Sequence, residues 1–426
     1  MPTRLVASSI LLASALLAAC AESENSTANE TIVETTTTTT LPTLSDTFTD
    51  TPFNALAGAE ECHIADLPPD ANGMVRSNLV GFPRPEVIRA PKLLVLPFSF
   101  SDDEPPTSYV GPTLAALNGA AHFYEQISWG KASFTFDTAP KELWIEVPKT
   151  ASEMGFSKDS PKPQSGSVSP FDVLEYASPE LNFDNYDLVH LVGSPDLMDW
   201  ATAWMEFDPR NAPIVTPAGN VSRASLITHN HSDASLIAHE LGHAWLNLWD
   251  LYSGQRGITD FVGLNRFDVM YNAGLNDYNA TDMTVWNKYL AGWVEPNQVR
   301  CITSAGTTTH FVSTNSVVSE LPKAVMVKIS ETKVLVIDTW RKSEFNRCCN
   351  ETIAYVVDAT RIHFAGPYRL QGSLEKPGDQ LVLDESLLAT KTEWTLRPDE
   401  PLTISNVTIT LLDSDASGAM VEVAVS

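Results

Sequence analysis

Residues 239–252 read HELGHAWLNLWDLY. At about 100° per residue, histidines four apart sit roughly 40° apart on one helix face, with Glu240 beside them. Ile237, Leu241 and Leu248 fall on about the opposite side. That apolar stripe would pin a helix to a core and turn both imidazoles toward a cleft. Two neutral imidazole nitrogens suit Zn²⁺, and an adjacent carboxylate suits the removal of a proton from water. The chain has nine histidines, so an accidental H-E-x-x-H has odds on the order of one in a hundred. His239 and His243 are therefore expected to hold a metal, with Glu240 as catalytic base. Ser232 is expected to cap the helix, with Asp233 in its favourable first turn.

The third ligand is approached by elimination. No glutamate lies between Glu240 and Glu295, and the next histidine after His243 is His310. The acids nearby are Asp250, Asp260, Asp268, Asp277 and Asp282. Asp250 is best placed, just past the helix end, and zinc accepts carboxylate oxygen. The competing role for Asp250 is to orient a histidine from outside the metal shell. His229, His231, Tyr252 and Tyr271 are weaker candidates for donors near the reacting carbonyl.

Outward from the motif, KLLVLPFSF (92–100) reads as a buried strand ending in the turn Ser101-Asp102-Asp103. TLAALNGAAHFYEQIS (113–128) has helical spacing, with Leu114, Leu117, Ala121 and Tyr124 on one side, and stops at Gly130. Strands are expected within ASFTFDTAPKELWIEVP (132–148) and YDLVHLVG (186–193), and a polar loop over 151–168. After Trp293 come β-branched runs: VMVKIS (325–330), KVLVIDTW (333–340), TIAYVVDA (352–359), LTISNVTITLLD (402–413) and AMVEVAVS (419–426). They predict a smaller all-β, sandwich-like domain over 300–426, following an α/β (α+β) catalytic domain over 56–299.

Residues 1–19 read as a signal peptide, with Arg4 before the apolar run Leu5–Ala19. Leu17-Ala18-Ala19-Cys20 resembles a bacterial lipobox, which makes Cys20 the lipidated N-terminus of the mature chain. Residues 20–55, rich in Thr and devoid of Lys and Arg, read as a flexible tether. The expected location is extracytoplasmic, anchored to the cell envelope or secreted. Lipidating Cys20 leaves Cys62, Cys301, Cys348 and Cys349. A bond between Cys348 and Cys349 would close a strained ring, so these two are expected to reach Cys62 and Cys301. A net charge of −26 argues against a nucleic-acid partner and leaves room for Ca²⁺ sites.

The sequence resembles the immune inhibitor A-like family of secreted bacterial zinc metalloproteases. That family's motif runs H-E-x-x-H-x-x-G-x-x-D, followed by Leu-Tyr, with the aspartate as third ligand. Here Asp250-Leu251-Tyr252 stand one residue later and the turn glycine is missing. If the extra residue is absorbed before Asn247, then Asn247-Leu248-Trp249-Asp250 takes the place of Gly-x-x-D, Asn being the next best residue for a left-handed turn. LLVLPFSFSDD is similar to the family's opening strand and acidic turn, and FYEQISWGKASFTF to its helix and Ser-aromatic-Gly-Lys turn. Phe267-Asp268-Val269-Met270 looks like its methionine turn, which implies Met270 as an apolar floor under the metal. TDMTVWNKYLAGWV (281–294) looks like the helix that follows, and VLVIDTWRKSEFN and ETIAYVVDAT like its paired β-domain strands.

The resemblance implies a zincin-type fold and an endopeptidase that hydrolyses protein or peptide substrates. Two alternatives stand beside it. One is a surface protein that keeps the fold and only binds; the other is a zinc hydrolase of a non-peptide amide.

Overall fold

The computed structural model describes residues 44, 51, 56–64, 89–103, 106–155, 170–194, 201–205, 214–228, 233–248, 267–270, 281–346, 350–358 and 395–426. Pro42–Ser426 form one compact unit. The first half contains β1 (Lys92–Phe100), β2 (Thr135–Thr138), β3 (Ile145–Val147), β4 (Leu188–Val192), β5 (Ala201–Met205), β6 (Ile214–Thr216), β7 (Gly219–Val221) and β8 (Arg223–Ile227). Among the described residues these strands are accompanied by the helices α1 (Val110–Ile127), α2 (Pro170–Leu174), α3 (Ala234–Ala244) and α4 (Val285–Leu290).

Among the described residues, β6 and β7 pair with each other, and the other six strands form one sheet in the order β2-β1-β4-β8-β5, with β3 also on β1. All of its pairings are parallel except that of β5, which runs antiparallel to β8. A parallel sheet is stable when both faces are covered, and its strands then read as unbroken apolar runs. β1 illustrates this with period two. Leu93 and Val95 enter the core shared with α1, α3 and α4, while Leu94, Leu96 and Phe98 enter the core on the other face, shared with α2.

The second half is built from strands: β9 (Val299–Ile302), β10 (Gly306–Ser313), β11 (Ala324–Ser330), β12 (Lys333–Trp340), β13 (Glu351–Asp358), β14 (Leu402–Ile404), β15 (Val407–Ser414) and β16 (Gly418–Val425). They form two four-stranded sheets, β10-β16-β15-β14 and β13-β12-β11-β9. Val325, Val327, Leu335 and Ile337 of one sheet share a core with Val407, Ile409, Val421 and Val423 of the other. The alternate residues Met326, Val334, Val336, Tyr355 and Val357 face the opposite way, into the core of α1, α3 and α4. The chain is thus α+β, and apolar packing runs unbroken across residue 300.

Two expectations are corrected. Cys62 is bonded to Cys301 (S–S 2.10 Å), not to Cys348 or Cys349. The short 3₁₀ turn Ala59–Cys62 lies against β9, where Ala57 bridges Cys301 and Ala59, Cys62 and Ile64 are buried. The two cysteines are 239 residues apart, so no local pattern announces the pairing. Cys20, Cys348 and Cys349 lie outside the described residues. The helix expected from 281–294 is also shorter, because Gly292 takes φ 72° just after α4 ends.

After α1 the chain passes through Trp129 at φ 59° and Gly130 at φ 76°. The left-handed conformation at Trp129 is sustained by its ring, whose Nε1 donates to Asn315 O at 3.2 Å. Lys288 and Lys323 lie over that ring at 4.6 and 4.8 Å. This turn ties α1 to the loop between β10 and β11.

Candidate metal centre

Helix α3 begins at Ala234, capped by Asp233, whose Oδ1 accepts from Ser235 N at 2.8 Å and Leu236 N at 3.3 Å. The cap is therefore Asp233 and not Ser232, which lies outside the described residues. Aspartate here satisfies two of the end's orphan donors and also opposes the positive pole of the helix. At the helix start, a Cβ on Gly119 of α1 would come within 2.9 Å of Ala234 Cβ, so α1 approaches α3 closely there. Tyr124 of α1 donates its hydroxyl to Ala238 O at 2.5 Å and packs edge-on against Trp245 at 4.9 Å. Burial pushes the Tyr124 hydroxyl well above its ordinary value, so it remains a donor.

On the opposite face, His239 and Glu240 are buried and His243 is half-buried. His239 Nδ1 lies 3.0 Å from Val269 O, and His243 Nδ1 lies 2.6 Å from Leu248 O. A carbonyl can only accept, so in both neutral rings the proton sits on Nδ1 and Nε2 is the unprotonated nitrogen. These two Nε2 atoms face each other at 3.1 Å. Lone pairs so aimed repel unless a proton or a metal cation lies between them. The separation suits two ligands of one tetrahedral ion, whose zinc–nitrogen bonds are about 2.0–2.1 Å. Imidazole nitrogens are donors that zinc accepts, and backbone carbonyls behind the rings are the kind of partner that orients ligating histidines.

The carbonyl behind His243 is placed by the end of the helix. Asn247 has φ 54°, so it makes the left-handed turn expected of it. Its N–H donates to His243 O at 3.0 Å, and Leu248 N–H donates to Gly242 O at 3.0 Å. Leu248 is buried, although it lies beyond the helix rather than on its stripe. Asp250 follows two residues later and is outside the described residues, as are Asp260, Asp277, His229, His231, Tyr252 and Tyr271. Among the described residues, no group of three His, Cys, Asp or Glu side chains that could hold a metal ion is found.

The carbonyl behind His239 belongs to the turn Phe267–Met270. Met270 is fully buried against α3, where a Cβ on Gly242 would lie 2.5 Å from its Sδ. Asp268 Oδ1 accepts from Met270 N at 2.9 Å. Its Oδ2 accepts from Thr284 N at 2.9 Å, Thr284 Oγ1 at 2.8 Å and Asn287 Nδ2 at 2.9 Å. Burial pushes Asp268 up to about 6 against the pull of these donors. Asp282 is committed too, through an ion pair with buried Lys288 at 2.8 Å. Both carboxylates are thus engaged in structure, which removes two of the five candidate acids.

Sequence reasoning passed over Asp338, a buried acid on β12. Its Oδ2 accepts from Val285 N at 3.0 Å, and its Oδ1 accepts from Trp340 Nε1 at 2.6 Å. The available signal was a lone acid inside the apolar run KVLVIDTW. No protein-family model matches the chain, and no curated protein shows significant similarity to it.

Proposed function

We propose that this chain is a zincin-type zinc endopeptidase, exported and lipid-anchored through Cys20 on the tether 20–55. The observation that carries the reading is the pair of imidazoles: each Nδ1 is spent on a carbonyl and the Nε2 atoms converge at 3.1 Å. The Cys62–Cys301 disulfide supports an oxidising, extracytoplasmic location.

His239 and His243 would hold the ion, with Asp250 as the third ligand reached after the Asn247 turn. Zinc, when bound, supplies Lewis acidity that polarises the scissile carbonyl and makes water a better nucleophile. Glu240, adjacent to His239 on the same helix, takes the proton from the attacking water on its carboxylate. It then delivers that proton to the departing amine nitrogen, so one group serves as base and acid in turn. Burial of Glu240 and His239 keeps bulk water from competing for that proton. Strand β5, antiparallel and last in its sheet among the described residues, gives an extended peptide backbone a partner for strand addition.

The test is Glu240→Ala assayed on an unfolded protein substrate. Zinc content should be retained and activity should fall by about 10²–10⁴-fold, as for a lost general acid–base. Undiminished cleavage would refute the assignment.

A further inference from the structure

We infer that Asp268 is a positioning residue for His239: its carboxylate fixes the Val269 carbonyl and thereby holds the imidazole in the tautomer that presents Nε2 to a ligand. The inference rests on the reading of His239 as a metal ligand and adds to it a positioning role for Asp268.

The geometry runs in one direction through named bonds. His239 Nδ1–H donates to Val269 O at 3.0 Å, so the ring is only as well placed as that carbonyl. Val269 lies between two residues that Asp268 controls. One is Asp268 itself. The other is Met270, whose N–H is held by Asp268 Oδ1 at 2.9 Å. The second carboxylate oxygen takes three donors from the start of α4, namely Thr284 N, Thr284 Oγ1 and Asn287 Nδ2. That helix start is itself fixed, because Val285 N donates to Asp338 on β12 and Trp286 N donates to Tyr355 Oη on β13 at 3.2 Å. The turn is closed from its other side by Val269 N donating to Asp282 O at 3.1 Å. A buried carboxylate that receives four donors, two of them from backbone N–H groups, is a rigid joint. Here it joins the methionine turn to the β-sheet half of the chain.

The chemistry requires a carboxylate at this point. An amide has one acceptor oxygen and one donor nitrogen. If the amide introduced by Asp268→Asn turned its oxygen toward the three donors of α4, its NH₂ would oppose Met270 N–H. Turned the other way, it would oppose Thr284 and Asn287. Either choice sets donor against donor in a buried site, where an unmade hydrogen bond costs about 1–3 kcal/mol. The turn would shift, and the Val269 carbonyl would shift with it.

The experiment uses the full chain labelled with ¹⁵N-histidine and freed of metal, at a pH where the rings are neutral, with His239→Gln identifying the resonances. The wild type should show His239 as the Nδ1–H tautomer, and Asp268→Asn should show a mixture of tautomers or the Nε2–H form. Zinc affinity, measured by chelator competition, should fall by roughly 10–100-fold in the variant, the loss typical of partners behind metal ligands. Thr284→Val and Thr284→Ser serve where Asp268→Asn does not fold. The valine keeps the shape and removes a donor, so it should perturb the tautomer. The serine keeps the donor, so it should not. A wild-type tautomer and wild-type affinity in Asp268→Asn overturn the inference, as does a serine variant as perturbed as the valine. If the tautomer shifts as expected while even the wild type takes up no zinc, the positioning role stands and the metal reading falls.

Discussion

A methyl group placed on Gly242 would lie 2.5 Å from Met270 Sδ. The helix that carries both histidines therefore rests directly on the turn Phe267–Met270, without room for one added carbon. Alanine at a mid-helix glycine normally gains about 1 kcal/mol, yet here overpacking should cost about 1–3 kcal/mol and reverse the sign. Gly242→Ala should lower stability in urea unfolding. Combined with Met270→Ala, it should cost less than the sum of the two by at least about 0.5 kcal/mol. Strict additivity would mean that the two residues do not touch.

Asn247 sets a second contact with the site. At φ 54° a glycine serves equally well, so Asn247→Gly should change stability by no more than about 0.5 kcal/mol. A β-branched residue there is strained by about 1–3 kcal/mol. Asn247→Val should in addition weaken zinc binding, because the turn delivers the Leu248 carbonyl to His243 Nδ1. Chelator competition on both variants checks this, and equal affinities would contradict it.

The Cys62–Cys301 bond closes a very long loop, so its loss should cost about 2–5 kcal/mol. Cys62→Ser and Cys301→Ser should each reach that loss, and the double variant should add little. Peptide mapping without reduction should recover the two cysteines in one linked pair. Recovery of either linked to Cys348 or Cys349 would refute the pairing.

The buried acids predict a pH dependence of stability. Burial raises Asp268 from 3.8 to about 6 and Asp338 from 3.8 to about 7. Each therefore binds its proton more tightly in the folded chain than in the unfolded one. The stability they contribute is full below 3.8 and is lost as pH rises through about 6 and about 7. Each group contributes a slope of at most about 1.4 kcal/mol per pH unit. Asp338→Asn should flatten the decline between about pH 5 and 7.5 in guanidinium unfolding. An unchanged slope would remove Asp338 from the cause.

What was legible in the sequence was whatever has a local period. KLLVLPFSF and KVLVIDTW form β1 and β12 over the same residues, since continuous apolar runs fit strands covered on both faces. The H-E-x-x-H spacing brought His239, Glu240 and His243 onto one helix, and Asn247 could be read as the turn because few residues tolerate φ above zero. β10 went unread because GTTTHFVS is polar along its first half, where it is more exposed. The helix stripe of α1 was read slightly off centre: Leu114 and Ala121 are only half-buried, while Ala116, Ala120 and Phe123 are buried. The cysteine pairing, the bonds of Asp268 to Thr284 and Asn287 and that of Asp338 to Val285 join residues well separated in the chain. Nothing in a window of neighbouring residues encodes such contacts.

The most direct test is metal stoichiometry by mass spectrometry on folded protein reconstituted with zinc and dialysed. One zinc per chain should remain in the wild type and in Glu240→Ala, and none in His239→Ala/His243→Ala. A wild type that retains no zinc, or a double variant that retains as much as the wild type, would contradict a metal held between these two imidazoles.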